Sequence, residues 1–419
     1  MKFLQVHVFY EQYLQDFYHR YPHLKSASYN EQISALVRDG FSAGHIYAPY
    51  MEELGYESQL AIANAPYAQV QWAKERGFSS FDGQNWVVEI VRQQIETFQP
   101  DILHFGHPMP PFDSKFLATL SWQPSLVIGW RAAPISKDTD WSRYDIMLSS
   151  STDCRQQALQ LGARSAEYFF PGIPQFIADT IRDQPKQWDV VFSGQWSSLH
   201  SQRNQYLQEI AKAPLGWGGE FSIGYFLSAD PQTLPAGVAM HNQGSRWGIE
   251  MYRALKSGKI VINGAIDMAK GEGPNMRLFE ATATGSFLLT EHQFNLDRFF
   301  EIGKEIETFK DVKEAIDKIY YYLRHPEERE AIARRGQERC LRDYSMQQRG
   351  RALDTIVKKY LQPSPKLTSE GESALLECRS AIVRTPDNAQ LYRKLADLLR
   401  DRGKLEAAKR AYKRANLAN

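Results

Sequence analysis

The stretch Glu272-Gly-Pro-Asn-Met-Arg-Leu-Phe-Glu280, running on through Ala-Thr-Ala-Thr-Gly285 to Ser-Phe-Leu-Leu-Thr290, reads as a loop, a short helix and a buried strand, with an acid at each end of its first nine residues. Gly271, Gly273 and Pro274 make the loop. Proline is tolerated at a helix start, and from Asn275 to Thr284 the residues Met276, Phe279 and Ala283 fall on one face of a helical period. Glu280 lies about one turn in. The unpaired amides of such a helix start, reinforced by the helix dipole, favour a negatively charged ligand, and a diphosphate would sit well there. An ionised carboxylate offers acceptors only, so Glu280 suits both hydroxyls of a ribose attached to that diphosphate.

Outward from this stretch the chain alternates apolar runs with helical patterns. Runs at Phe3 to Phe9, Gln59 to Ala63, Asp101 to Phe105, Ser125 to Trp130, Asp145 to Ser149 and Ala166 to Phe170 read as strands, with helices between them, notably Tyr29 to Arg38 and Gln84 to Gln99. A second series, Trp188 to Ser193, Phe221 to Tyr225, Lys259 to Ile262 and Ser286 to Thr290, follows a hinge-like Pro171-Gly172-Ile-Pro174 segment. The expected fold class is α/β, with two Rossmann-like domains facing across a cleft. They are residues 1–175 and 186–345, and a helix over 346–361 crosses back onto the first. Ligands of such sheets bind beyond the carboxyl ends of the strands, which means in the cleft.

The spacing of the two acids is similar to the acid-x7-acid signature of retaining GT-B glycosyltransferases of the family 4 type. The Asn275-Met-Arg277-Leu-Phe-Glu280 core, with Phe299-Phe-Glu-Ile-Gly303-Lys-Glu305 downstream, resembles more closely the CgeB-like glycosyltransferases of the group 1 superfamily. The likeness extends through His325-Pro-Glu-Glu-Arg, Ala331-Ile-Ala-Arg-Arg-Gly336 and Tyr344-Ser-Met-Gln-Gln-Arg349, and more loosely to Phe9-Tyr10, Tyr13-Leu14 and Gln71-Trp72 near the front. It implies a GT-B fold, transfer of a sugar from a nucleotide diphosphate sugar, uridine-linked, to a glycan, lipid-linked or protein acceptor, and no metal cofactor. It also implies that Glu272 touches the donor sugar, which would make retention the preferred outcome. Other readings of Glu272 and of the whole chain stay open: a loop acid favoured by the helix dipole, a GT-B epimerase of UDP-sugars, or a non-catalytic scaffold.

Other candidates follow from chemistry. Sugar transfer needs leaving-group charge to be stabilised, and basic side chains and amides can supply this. Arg277, three residues before Glu280, reaches phosphate or ribose, or forms a surface pair with Glu280. Arg203 follows the loop after the Trp188–Ser193 run, where Gly194 permits close backbone approach. Asn275 and Met276 sit at the helix start. Tyr225 and Trp247 are the aromatic candidates for the base, or else core. His104 and His107, in Asp101-Ile-Leu-His-Phe-Gly-His107, resemble a family 4 segment whose histidine touches the donor sugar, although the second histidine comes one residue late. His7 has the chemistry of a general base, should the reaction invert configuration.

Length and composition bound the rest. The chain has 419 residues, 43% hydrophobic, enough for two large domains and a small third. Its 50 basic and 49 acidic residues give a net charge of +1, so no global field draws it to nucleic acid. No transmembrane run or signal pattern is legible, which predicts a cytoplasmic protein or one peripheral to the membrane. Cys154, Cys340 and Cys378 are scattered singly, and no histidine spacing binds metal. After a linker at 362–368, residues 369–419 read as helices. Pro386 to Asn419 has the length of one tetratricopeptide repeat, about 34 residues, with Leu391, Leu395, Ala396, Leu399, Gly403, Ala407, Ala408, Tyr412 and Ala415 at its packing and turn positions. A preceding helix at Glu372 to Arg384 would accompany it. Such a short array implies a partner, self-association or a plain capping role.

Overall fold

The computed structural model describes residues 1–78, 83, 85–215, 220–361, 378, 381, 385, 388–400, 408, 409, 411–413 and 415. The chain divides into two compact units, Met1–Ile356 and Val357–Asn419.

The first unit holds two wholly parallel sheets. β1 (Lys2–His7), β2 (Glu57–Ile62), β3 (Ile102–Phe105), β4 (Leu126–Trp130), β5 (Ile146–Ser149) and β6 (Ser165–Tyr168) form one, in the order β2-β1-β3-β4-β5-β6. β7 (Trp188–Gln195), β8 (Ile223–Ser228), β9 (Gly258–Asn263), β10 (Phe287–Glu291) and β11 (Glu307–Phe309) form the other, in the order β11-β10-β9-β7-β8. Every strand expected from the sequence is present, within a few residues of its expected ends. The three-residue β11 was not expected; it is too short to show a period. The helix expected at Gln84 to Gln99 runs Trp86–Phe98, and Gln84 lies outside the described residues.

Helices cover both faces, which is why most strands are buried along their length rather than alternating. In the second sheet Val190, Ile260, Ile262 and Leu289 pack with Leu207 and Ile319 on one side. Val191, Val261 and Leu288 pack with Leu255 and Phe279 on the other. Leu4, Leu103 and Phe105 bury with Ile95 and Phe98 beneath the first sheet. In each sheet the strand order reverses at one strand, β1 in the first and β7 in the second. A crevice opens at such a reversal, so the carboxyl ends of β1 and β7, at His7 and Ser193-Gly194-Gln195, are where a ligand site is expected.

The halves are tied together by backbone and by close packing. Ile173 bridges to Ser345, with the Ile173 amide donating to Tyr344 O at 3.0 Å and the Met346 amide to Ile173 O at 3.1 Å. From there the helix Met346–Leu361 begins, and its Asp354 accepts from the Tyr56 hydroxyl at 2.8 Å. The helix Tyr29–Asp39 opens on a Ser28/Glu31 capping box and closes at Gly40, whose φ is +77°. A Cβ there would stand 2.5 Å from Ile177 Cδ1, so glycine serves both the left-handed turn and the contact with the second half.

In the second unit the helix Ala389–Arg400 buries Ala396 and Leu399 against Ala408 and Ala411, with Leu395 and Tyr412 alongside. The linker 362–368, most of Glu372 to Arg384, and Gly403 and Ala407 lie outside the described residues.

Candidate active site

A cavity of about 750 Å³ lies between the carboxyl ends of the two sheets. Glu272, Asn275, Met276, Arg277, Glu280, Arg203, Gly194, Trp247, His107 and His7 all line it. The sequence thus placed ten of its candidates in one space.

On the second sheet's side the helix Met276–Ala283 starts at the cavity. Asn275 is its N-cap, and Asn275 Oδ1 takes the Leu278 amide at 3.2 Å. Asn275 is itself gripped by Asn263 at the end of β9, through paired amide bonds of 3.2 Å, and Asn263 also donates to Thr290 Oγ1 at 2.9 Å. The amides of Met276 and Arg277 have no acceptor among the described residues, so this helix start retains donors for an anion. Arg277 pairs with Glu280 at 3.0 Å, and both side chains are largely buried. Burial, and next the Glu280 charge, push the Tyr252 hydroxyl well above its ordinary range. Beneath the loop, Asn295 holds both backbone groups of Gly273 at 2.7 Å.

Arg203 is 5% exposed, with its guanidinium 5.0 Å from the Phe192 ring centre. It donates to Gln195 O, and its Nε has no partner among the described residues. Burial, then the nearby Arg277, bring its pKa down to about 10. Glu280 answers Arg277, so the buried Arg203 guanidinium is the one with an N–H left over for an anion. The helix start that carries Arg203 is already occupied, because Asp267 accepts the Ser201 amide at 2.8 Å.

The first sheet contributes histidines. His7 Nε2 meets Ser42 Oγ at 3.1 Å, while its buried Nδ1 has no partner among the described residues. Burial, then His45, His104 and His107, hold it well below the ordinary range. His107 is brought to about 4 by burial and by Arg131. These imidazoles are neutral at physiological pH. Trp247 stands at the cavity mouth against Tyr10 and Phe41, with ring centres 6.0 and 5.8 Å away.

Two candidates are not brought to the cavity. Tyr225 is fully buried in the core, with its hydroxyl on Leu207 O at 2.9 Å. Successive strand residues point to opposite faces, so it is the next residue, Phe226, that reaches the cavity, with the Arg246 guanidinium 5.7 Å from its ring. His104 is likewise fully buried, between Phe3 and Tyr47, and only His107 faces the space. Glu272 does line the cavity, but both its oxygens are bonded to Thr152, at 2.8 and 2.7 Å. Sequence reasoning passed over Thr152, Asn263, Arg131 and Phe226. The Ser149-Ser-Ser-Thr-Asp153 run is an N-cap signal that points to Thr152, and Arg131 and Asn263 each stand at a strand's carboxyl end.

Residues 175–355 match a family model described as Glycosyl transferase-like. No curated protein matches the sequence. Among solved structures the chain is similar to a glycosyltransferase from Rickettsia africae, at 13% identity and a TM-score of 0.52 over 87% of this chain and 100% of that one. It is similar to Anabaena HepE in complex with UDP-glucose, at 11% identity and 0.53 over 85% and 99%. It also resembles sucrose-phosphate synthase from Thermosynechococcus elongatus, at 8% and 0.50 over 86% and 99%. The fold is GT-B. Within this GT-B unit the matched residues cover the second sheet and its cleft-side loops. Among the described residues no group of three His, Cys, Asp or Glu could hold a metal ion, and no helix is long and apolar enough to cross a membrane.

Proposed function

We propose that this protein is a glycosyltransferase that moves a sugar from a nucleotide diphosphate sugar, uridine-linked, onto a hydroxyl of a glycan, lipid-linked or protein acceptor. The observation that carries the reading is the buried Arg277–Glu280 pair one turn into a helix whose first amides lack acceptors, beside the buried Arg203. The diphosphate binds those amides and the two arginines, and Glu280 turns from Arg277 to the ribose hydroxyls. Phe226 and Trp247 offer apolar surface to the base. The match to the Glycosyl transferase-like family and the UDP-glucose held by Anabaena HepE support the same donor class.

In this reading residues 186–345 bind the donor and residues 1–175 the acceptor. Glu272 and His107 meet the donor sugar. As the bond from the anomeric carbon to the phosphate oxygen breaks, the acceptor oxygen bonds that carbon on the same face and passes its proton to the departing phosphate, so configuration is retained. The arginines and amides stabilise the charge left on the phosphate, in a space closed to competing water. The side chains available at the diphosphate fit a reaction without a metal cofactor. The setting is the cytoplasm or the membrane surface, and the 369–419 segment, as tetratricopeptide-like helices, takes a protein partner or a second copy.

Glu280→Gln tests this, since it keeps size and removes the charge. Hydrogen bonds to charged groups contribute about 1.5–3 kcal/mol, so UDP affinity should fall at least tenfold by calorimetry; unchanged affinity removes Glu280 from the site. A thermal-shift panel of UDP, GDP, ADP, TDP and CMP names the donor class. A ligand at 100 times its dissociation constant stabilises the fold by about 2.7 kcal/mol, and silence across the panel overturns the reading.

A further inference from the structure

Both carboxylate oxygens of Glu272 are held from the opposite wall of the cleft. The Thr152 amide donates to Oε2 at 2.8 Å and the Thr152 hydroxyl to Oε1 at 2.7 Å. Thr152 is the first residue of the nine-residue helix Thr152–Gln160, which is capped by Ser151. Its amide is therefore one of the donors that a helix start leaves without a helical partner, and the dipole favours a carboxylate there. Arg155 donates to Thr152 Oγ1 at 3.0 Å, which turns the hydroxyl proton towards Glu272. Next along, Lys270 pairs with Asp153 at 2.7 Å. The same loop is fixed to the second half by Asp267 on the Ser201 amide and by Asn295 on Gly273. It thus straps one wall to the other.

We propose that Thr152 is a positioning residue: its amide and hydroxyl draw the Glu272 carboxylate onto the first wall, so the acid takes its working place only when the two walls are together. A carboxylate has lone pairs beyond the two Thr152 uses, and these remain for a sugar hydroxyl. The inference rests on the transferase reading above and deepens it, because it makes cleft closure and placement of the first acid one event.

Three variants separate the donors. Thr152→Pro removes both, and proline suits the first helical position, where a missing N–H costs the helix nothing. Ser151, at φ −88° and ψ 131°, already has the extended conformation preferred before proline. Thr152→Val removes the hydroxyl alone, and Thr152→Ser keeps both donors. UDP affinity should stay within about twofold in all three, since Thr152 does not meet the nucleotide. The kcat for UDP-glucose hydrolysis should fall by roughly tenfold for each lost donor to a charged acceptor, and Thr152→Ser should match the wild type. Unchanged kcat in Thr152→Pro, or a raised KM with kcat intact, overturns the positioning role.

A second readout needs no donor. Nitroxide labels on Leu159→Cys and Phe294→Cys, whose parent residues are 52% and 68% exposed on either side of the strap, report the width of the cleft. Thr152→Pro should lengthen and broaden the distance distribution, and an unchanged distribution overturns the clasp whatever the enzyme hydrolyses. If the wild type binds no UDP, the transferase reading fails, and the label distances still decide the clasp.

Discussion

The two walls of the cleft are built alike and charged differently. Both are the carboxyl edge of a parallel sheet at the strand where its order reverses. The first wall carries imidazoles that burial keeps neutral, beside the Arg131 guanidinium: His7, His45 and His107 are all held below the ordinary range, burial being the first cause in each. The second ends in fixed charges, Arg203, Arg277, Glu280 and Asp267. Shared topology therefore sets where a ligand lies, and the side chains at the edges set what it is. A diphosphate is stabilised by cations and amides fixed before it arrives, whereas a sugar hydroxyl can be met by a neutral imidazole as well as by a carboxylate such as Glu272. In the proposed reading the walls divide these tasks.

The largest effect on nucleotide affinity should come from Arg203, where the comparison can be broken from the charged side. A buried guanidinium whose Nε has no partner among the described residues is costly to the empty protein and useful to a bound anion. Arg203→Met keeps the stem that packs near Gly264 and drops the charge. UDP affinity should fall roughly 50-fold, as loss of charge-assisted bonds to phosphate implies, while the Tm of the unliganded protein should not fall. A lower Tm with intact UDP binding would make Arg203 a structural residue, and the second wall would lose its central cation.

Acid sharpens the comparison from the other side. His104 is fully buried, and burial takes its pKa to about 3. As pH drops from 6.5 to 5, the unfolded chain takes up a proton on this ring that the folded chain refuses, so stability is lost in that window and regained as pH rises. One fully buried ring accounts for about 2 kcal/mol over the interval. His104→Leu should make the dependence of Tm on pH between 7 and 5 shallower by this ring's share, the other buried histidines keeping theirs, and an equally steep profile in the variant would assign the acid sensitivity elsewhere. UDP binding should be indifferent to the substitution, since His104 lies outside the cavity.

What the sequence could and could not reveal follows the same division. Strands and the donor helix were legible because they are local patterns, down to Asn275 as the residue that opens the helix. Tyr225 was left between base contact and core because β8 is apolar on both faces, and an unbroken apolar run does not say which side faces the cleft. His104, on β3 whose four residues are all buried, and His107, two residues beyond that strand, posed the same problem. The partner of Glu272 was beyond local reading, because Thr152 lies 120 residues away and only the folded cleft brings them together.

The smallest expected effect concerns the charge that accompanies that contact. Lys270 and Asp153 are 74% and 43% exposed at the side chain, so their pair is solvated and screened by salt. Thr152 also bonds Glu272 at the surface, but through neutral donors, one of them an amide fixed by the helix itself. Lys270→Ala should therefore leave hydrolysis and Tm unchanged within error, and raising the salt from about 0.05 to 0.5 M should have as little effect on the wild type. If Lys270→Ala instead matched Thr152→Pro in the label distances, the strap would be closed by surface charge. The contrast between a first wall rich in neutral imidazoles and a second built on fixed charges would then fail at this point of contact.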